Sequence, residues 1–319
     1  MKQDNKPLVS IICTSFNHQK YIKECLDGFI IQQTNFLFEI IVHDDASTDA
    51  TQQILREYES IYPSLFNNIY QTENQFSNKE INIWYDIMLP KARGKYIAIC
   101  EGDDYWSDPM KLQKQVNFLE ANSDYVFCTH RYRVYLENIH EFQNEVLPIN
   151  YSTYKERQGG VEIDEKIFSK DWFTQPLTAL VIKEDLNKVL SKYSNFKYFR
   201  DYHIFYLLLQ RGKGACLKIC SGVYRVNDGG IASSKTFYEK IKIAFLIYEE
   251  MYLYTRDSSI LFNYWKFSFV LIRKIEGLKI LSKSFFYNFS LNDKLILSKY
   301  FFVAFFDSFF GKIKRIASF

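Results

Sequence analysis

The 319-residue sequence has few of the residues that mark small or fibrous proteins, with 12 glycines, 6 prolines and 6 cysteines. Charged residues make up 24% and apolar residues 47%, a composition that excludes disordered, collagenous and coiled-coil classes. The length suffices for a self-supporting core, so a small disulfide scaffold is excluded as well. Because the six cysteines lie mostly inside apolar runs, we expect reduced core thiols.

A membrane-spanning run and a secretory leader are also missing. The longest apolar stretches of the C-terminal part, 260–272 and 295–310, are interrupted by charged residues. Neither reaches the roughly 20 uncharged residues of a spanning helix. The first six residues are polar, and the apolar run at 8–14 is too short for a signal peptide. We therefore expect a cytoplasmic protein.

Charge is unevenly distributed along the chain. The net charge of +3 is too small for a dedicated nucleic-acid binder, so no nucleic-acid partner is expected. Residues 235–319 nevertheless hold 14 Lys and Arg against 7 Asp and Glu, together with 23 of the 57 aromatic residues. This basic, aromatic segment indicates either peripheral contact with an anionic membrane or helices that pack Phe-rich faces on the body. We define 235–319 as a C-terminal helical extension.

The first 130 residues alternate strand-like and helix-like patterns. Strands are predicted at 8–14, 38–43, 68–72 and 95–100, and helices at 18–32, from Ser47 or Thr48 to 62, at 81–94 and at 108–119. This alternation predicts an α/β protein with a mostly parallel, doubly wound sheet and helices on both faces. Residues 131–170 are polar and are predicted to form an irregular insertion. Strands at 177–182 and 217–226 and a helix at 201–211 follow.

Polar and acidic side chains follow three of the predicted strands. The segments are Thr14-Ser-Phe-Asn17, Asp44-Asp45-Ala-Ser47 and Glu101-Gly-Asp103-Asp104. The carboxyl ends of parallel strands share one edge, which is where open sheets bind ligands. Five carboxylates there would raise one another's pKa and require a cation, and oxygen-only ligands favour Mg²⁺ or Mn²⁺. Taken singly, the second segment could be a helix cap and the third a solvated turn.

Three segments of the sequence resemble family 2 glycosyltransferases with the GT-A fold: Val9 to Asn17, Glu39 to Asp49 and Gly94 to Asp104. The resemblance covers residues 7 to about 130 and extends loosely to Tyr224–Gly230. It implies a Rossmann-like GT-A domain over 1–234, with a nucleotide-sugar-binding half at 1–130 and an acceptor half at 131–234. It also implies sugar transfer from a nucleotide donor, usually a UDP-sugar, with inversion and a divalent metal at the diphosphate.

The resemblance assigns roles to individual residues by position. Thr14, Asn17 and Asp45 would line the base and ribose pocket, with Asp44 in support. Asp103 and Asp104 match the metal-binding acidic motif. Glu101 stands where the family often has Asp, and its longer side chain would reach the ribose or the metal differently.

Near the end of the main domain, the resemblance points to three further positions. Asp201 best matches the Asp base that takes the acceptor proton, although it could simply cap its helix. Arg225 could contact a phosphate with two hydrogen bonds. Asn227 replaces a His that often approaches the metal in similar enzymes, and Asn is a weaker ligand. His203 is predicted to be a packing residue or to support a site residue, rather than to be a ligand itself. Trp106 either stacks on a sugar or lies in the core.

The acceptor implied by these features is a glycan or a polyprenyl or other lipid-linked sugar in surface polysaccharide synthesis. Two other classes stay open. A sugar nucleotidyltransferase would be expected to have a Gly-rich, basic loop after the first strand, and Thr14 to Asn17 has no such character. A non-catalytic nucleotide- or sugar-binding module could keep the pocket and lack the base.

Overall fold

The computed structural model describes residues 6–146, 156–157, 159–170, 174–230, 235–261, 263–264 and 293–295. The chain divides into two compact units, one from residues 1–197 and 204–230 and one from residues 198–203 and 231–319. Much of the predicted helical extension, 265–292 and 296–319, lies outside the described residues. Within the ranges just given, no helix is both long enough and apolar enough to cross a bilayer.

Eleven strands lie in the described part of the first unit. In chain order they are β1 (Val9–Ser15), β2 (Phe38–Asp44), β3 (Ile69–Tyr70), β4 (Tyr96–Glu101), β5 (Tyr105–Trp106), β6 (Tyr125–Leu136), β7 (Glu141–Val146), β8 (Glu156–Arg157), β9 (Gly160–Ile163), β10 (Leu180–Ile182) and β11 (Lys213–Val226). The α-helices of the described chain are α1 (Ile22–Ile30), α2 (Thr51–Ile61), α3 (Lys111–Ala121), α4 (Glu165–Lys170), α5 (Lys183–Leu190), α6 (Asp201–Leu209) and α7 (Phe237–Thr255). A turn of π-helix, Ile83–Met88, replaces the third predicted helix.

The strands form one mixed sheet in the order β3-β2-β1-β4-β10-β6-β11-β9-β8, with β5 paired to β11 and β7 to β6. Pairing is parallel between β1 and β2, β1 and β4, β2 and β3, and β6 and β11. The α/β class and the mostly parallel central sheet are therefore confirmed. Among the central strands, β10 runs antiparallel to both of its neighbours. The strands β5, β7, β8 and β9 at the margins of the sheet also pair antiparallel.

The core lies on both sides of the central strands. Strand β1 is buried along nearly its whole length, as its unbroken apolar run predicts for a central parallel strand. Helix α1 covers this region with one buried stripe that includes Ile22, Leu26 and Phe29. Gly28 is required on the same helix, because a Cβ there would lie 2.7 Å from the carbonyl oxygen of Trp106. The absence of a side chain lets α1 approach β5 closely.

The prediction of an irregular insertion at 131–170 is wrong where the structure describes it. Strand β6 continues to Leu136 and pairs antiparallel with β7, and β9 pairs antiparallel with β11. The side chains of β7 are almost all exposed, and four of its six residues are polar. A strand without a buried face has no period-2 apolar signal, which is why the sequence pattern missed it.

Candidate active site

The ends of β1, β2 and β4 meet at one edge of the sheet, as the sequence predicts. Ser15 is opposite Asp44 in the register of β1 with β2, and Thr14 is opposite Glu101 in the register with β4. The N–H of Asp45 donates to the carbonyl of Ser15 and the N–H of Gly102 to that of Thr14, each over 2.9 Å. Backbone hydrogen bonds therefore connect the loops after β2 and β4 to the end of β1.

The loop after β4 gathers three carboxylates. One oxygen from each of Glu101, Asp103 and Asp104 lies within 4.8 Å of the others, and no other such acidic, His or Cys group occurs among the residues with described positions. Asp104 is 2% exposed, while Glu101 and Asp103 are half-buried. Burial and then the charge of Asp103 raise the pKa of Asp104 well above its usual range. Three clustered oxygen donors of this kind suit a hard divalent cation.

Asp44 and Asp45 do not join this group, so the expectation of five carboxylates around one cation is wrong. Asp44 accepts hydrogen bonds from the N–H and hydroxyl of Ser47 and from Gln52 Nε2. The two oxygens of Asp45 accept the N–H groups of Gln75, over 2.7 Å, and Phe76, over 2.9 Å. Asp44 is thus bonded within its own loop and by α2, and Asp45 by backbone N–H groups of the loop after β3. The spacing of the sequence could not show these partners.

Asn17 connects the loops after β1 and β2. Its backbone is left-handed with φ of 55°, a conformation that Asn tolerates better than most residues. Its N–H donates to Ser47 Oγ and its side-chain oxygen accepts the N–H of Thr48, both over 2.8 Å. The predicted cap of α2 by Ser47 or Thr48 is wrong, because α2 begins at Thr51 with Ala50 at its cap position. The N–H of Thr51 donates to the side chain of Asp49. Thr14 lies half-buried at the end of β1.

Arg225, at the end of β11, is 7% exposed, and its guanidinium already has three partners. Nε donates to the carbonyl of Asp103 over 2.9 Å, Nη1 to Glu137 over 2.6 Å, and Nη2 to Glu24. Its own N–H donates to Asp104 Oδ1 over 2.8 Å. Contact with a phosphate stays a prediction, and it would require one of the two glutamates to be exchanged for the ligand.

Glu24 and Glu137 were missed by sequence reasoning. Each lies in a helix or turn with no motif, and the pairing of Glu24 with Arg225 joins positions 201 residues apart. No local pattern could have indicated either pairing. Asn227, in contrast, was singled out by position. Its Nδ2 donates to Asp103 Oδ2 over 2.9 Å, and the residue is 5% exposed.

The sequence allowed Trp106 either to stack on a sugar or to lie in the core, and the structure shows that it lies in the core. Its ring is 1% exposed and packs edge-on against Phe29, with ring centres 4.7 Å apart. The indole N–H donates to the carbonyl of Leu177 over 2.9 Å. A fully packed indole has no face available for a sugar.

Asp201 is the first residue of α6 and belongs to the second unit. It is half-buried, and burial raises its pKa to about 6. His203, two residues along, is completely buried; its Nδ1 accepts the N–H of Arg200, and its Nε2 lies 3.5 Å from Glu250. These contacts favour the packing interpretation of His203, while the role of Asp201 as a base stays a prediction.

Known proteins share the sequence pattern of this chain. Residues 10–214 match the family described as Glycosyl transferase family 2. An uncharacterized protein of Mycobacterium tuberculosis is 45% identical over 130 residues, which are 41% of this chain and 36% of that protein. This chain therefore aligns with about a third of the length of its mycobacterial relatives. A putative teichuronic acid biosynthesis glycosyltransferase of Bacillus subtilis, TuaG, is 26% identical over 257 residues, 77% of this chain and 89% of TuaG.

Solved structures share the fold. TarS of S. aureus in complex with UDP-GlcNAc superimposes with a TM-score of 0.57 at 18% identity, covering 91% of this chain and 79% of the TarS chain. The mannosyltransferase PcManGT of Pyrobaculum calidifontis, in complex with GDP-Man and Mn²⁺, gives a TM-score of 0.52 at 15% identity, covering 92% and 84%. At these identities the likeness establishes a common fold.

Proposed function

The chain belongs to glycosyltransferase family 2, and we propose that it transfers a sugar from a nucleotide-sugar donor to a hydroxyl of a glycan or lipid-linked acceptor. The single observation that carries the proposal is the acid cluster of Glu101, Asp103 and Asp104, placed beside the ends of β1 and β2 inside the matched segment. The relative TuaG, named for teichuronic acid biosynthesis, supports a role in surface polysaccharide synthesis.

The cluster fits the divalent metal that the proposal requires. Asp103 and Asp104 would hold Mg²⁺ or Mn²⁺, with Glu101 beside them. The raised pKa of Asp104 reflects burial next to other carboxylates, a situation that a cation relieves. A bound metal would supply positive charge against the charge that develops on the departing diphosphate. PcManGT, solved with GDP-Man and Mn²⁺, has the same fold.

The nucleoside part of the donor is proposed to contact Thr14, Asn17, Asp44 and Asp45. The proposal is supported by where these residues lie. The loops after β1 and β2 are hydrogen-bonded to each other, and the loop after β4, which carries the acid cluster, is hydrogen-bonded to the end of β1. Asp44 accepts the N–H of Ser47 within the loop after β2, and Asp45 accepts the N–H of Gln75 in the loop after β3. UDP is the first nucleotide to test, since TarS was solved with UDP-GlcNAc. Arg225 is proposed to contact the diphosphate after releasing a glutamate.

Transfer is proposed to occur by direct displacement with inversion. The acceptor oxygen would form a bond to the anomeric carbon while the bond from that carbon to the diphosphate oxygen breaks. Asp201 would take the proton of the acceptor hydroxyl. With a pKa of about 6, Asp201 is mostly ionised at neutral pH and still close enough to that pH to be an effective base.

We further propose that segment 235–319 brings the enzyme to the cytoplasmic face of an anionic membrane. The support is the sequence of this segment, where Lys and Arg outnumber Asp and Glu by 14 to 7 and aromatic residues are frequent. Basic groups add electrostatic attraction to anionic lipids, and aromatic side chains prefer the interface. Such a location would suit a lipid-linked acceptor.

The proposed function is tested by a panel of UDP- and GDP-sugars. The expected result is release of nucleotide from one donor in the presence of Mn²⁺ or Mg²⁺ and its loss with EDTA. Absence of metal-dependent release from every donor, with UDP binding intact by calorimetry, would favour the non-catalytic module. Release of pyrophosphate from a nucleoside triphosphate and a sugar phosphate would favour the nucleotidyltransferase.

A further inference from the structure

The end of β11 is attached to the acid cluster through three hydrogen bonds. The N–H of Arg225 reaches Asp104, the Nε of Arg225 reaches the carbonyl of Asp103, and Nδ2 of Asn227 reaches Oδ2 of Asp103. Each of the first two bonds involves a backbone group. The third joins two side chains, and it fixes the orientation of the Asp103 carboxylate.

The fold places Asn227 next to Asp103 and buries it almost completely. It is 5% exposed and follows directly on the last residues of β11, whose pairing with β6 continues to Val226 opposite Leu136. Its Nδ2 lies 2.9 Å from Asp103 Oδ2. An amide nitrogen donates hydrogen bonds and cannot bind a cation, so the atom that Asn227 turns to the cluster is not a metal ligand.

Asp103 needs such a partner because it shares the cluster with two other carboxylates. Like charges within 4.8 Å repel one another, and a half-buried carboxylate without a donor would turn away towards solvent. A hydrogen bond from a neutral amide to one oxygen holds the carboxylate in place and leaves the second oxygen available. Groups that orient metal ligands in this way influence metal affinity although they do not touch the metal.

We infer that Asn227 is a positioning residue that holds Asp103 for a divalent metal at the Glu101, Asp103 and Asp104 cluster. The inference rests on the proposed function. It adds that an Asn at this position serves the metal site by orienting Asp103 and does not bind the metal itself. The side chain acts through Asp103 and adds no charge to the site. The protein ligands of the metal are then carboxylates alone.

The test measures the affinity for Mn²⁺ separately from turnover. UDP binding to the full-length protein is followed by calorimetry over a series of Mn²⁺ concentrations, which yields the Mn²⁺ dissociation constant, and is repeated without metal. Asn227→Leu removes the donor at similar size, and Asn227→Asp replaces the neutral amide with a further carboxylate. Asn68→Leu is the matched control, since its amide donates to the carbonyl of Leu55 and to Tyr70, outside the cluster. Thermal melting establishes that each variant is folded.

A positioning role predicts a Mn²⁺ dissociation constant raised about 10- to 100-fold in Asn227→Leu, with metal-free UDP binding unchanged. Asn227→Asp should also weaken Mn²⁺ binding, because its carboxylate repels that of Asp103. Tighter Mn²⁺ binding by Asn227→Asp would identify a direct ligand and overturn the inference, as would wild-type affinity in Asn227→Leu. If the wild type shows no Mn²⁺-dependent binding of UDP, it is the proposed function that fails.

Discussion

The ammonium group of Lys111 lies 3.7 Å from the centre of the Trp106 ring, and both side chains are fully buried. Lys111 also donates to Gln115 Oε1 over 2.8 Å. A cation–π contact and one hydrogen bond to a neutral amide compensate only part of the lost hydration of an ammonium group. Burial accordingly lowers the pKa of Lys111 from 10.5 to about 7.

This relationship predicts a pH dependence of stability. The unfolded chain keeps the proton of Lys111 up to about pH 10.5, while the folded protein releases it near pH 7. Between these values the unfolded state binds more protons, so the free energy of unfolding rises with pH by up to about 1.4 kcal/mol per unit. Lys111→Met should remove this contribution. Urea denaturation at about pH 7 and about pH 9 measures the free energy of unfolding at each pH. An equal change of this free energy with pH in wild type and variant would contradict the lowered pKa of Lys111.

Asp104→Asn should abolish turnover without destabilising the protein. The amide oxygen can still accept the N–H of Arg225, but the carboxylate for the metal is gone. Loss of metal stabilisation worth several kcal/mol corresponds to a decrease in kcat of at least about 100-fold. Because the folded pKa of Asp104 lies above the unfolded one, its ionised form reduces stability at neutral pH, so the metal-free Tm should stay equal or rise.

The matched control for this change is Asp108→Asn. Asp108 belongs to the same loop region but bonds to Lys114 and Ser221, outside the cluster. Nucleotide release with Mn²⁺ and thermal melting are measured for both variants. Retention of metal-dependent turnover in Asp104→Asn would mean that the metal binds elsewhere.

Asp201→Asn should keep donor binding and lose transfer. Removal of a general base lowers kcat by roughly 10² to 10⁴. In the wild type, protonation of Asp201 below about pH 6 should decrease kcat about tenfold per pH unit. The residual kcat of the variant should not show this decrease at acidic pH. The pH–rate profile and UDP calorimetry provide the two readouts.

Asp185→Asn is the control for Asp201. Asp185 forms a surface ion pair with Arg211 over 2.7 Å and has no proposed role in transfer. Its kcat should match that of the wild type throughout the pH range. An unchanged kcat in Asp201→Asn as well would assign the base to another residue.

Neutralising the basic end of the extension should weaken binding to anionic vesicles. The combined change Lys312→Gln, Lys314→Gln and Arg315→Gln removes three charges, each worth about 1 kcal/mol near such a surface. Partitioning in co-sedimentation should fall by at least about tenfold, while neutral vesicles should bind both proteins weakly. Three exposed lysines of the body, Lys6, Lys79 and Lys91, changed to Gln form the control. Equal sedimentation of the two triple variants would exclude a specific role of the extension.

Local signals were enough to predict the central part of the fold. The buried runs of β1, β2 and β4 and the apolar stripe of α1 are short-range patterns, and parallel strands place the loops at their carboxyl ends on one edge. The position of Glu101 beside Thr14 could therefore be predicted. The antiparallel direction of β10 could not, because it depends on pairing with the distant strands β4 and β6. The apolar pattern likewise predicted a helix near Ile83–Met88 but not its π-helical form.

By itself, the sequence determined the α/β class, the family and the edge where the candidate site lies, because apolar periodicity and short motifs are properties of neighbouring residues. Only the tertiary structure decided which acids group together and which hold loops, that Trp106 is a core residue, and that Arg225 and Asn227 contact the acid cluster. The contacts of Trp106, Arg225 and Asn227 join residues more than 70 positions apart, and those of Asp45 join residues about 30 apart. Whether a carboxylate meets a backbone N–H or another carboxylate depends on the path of the folded chain.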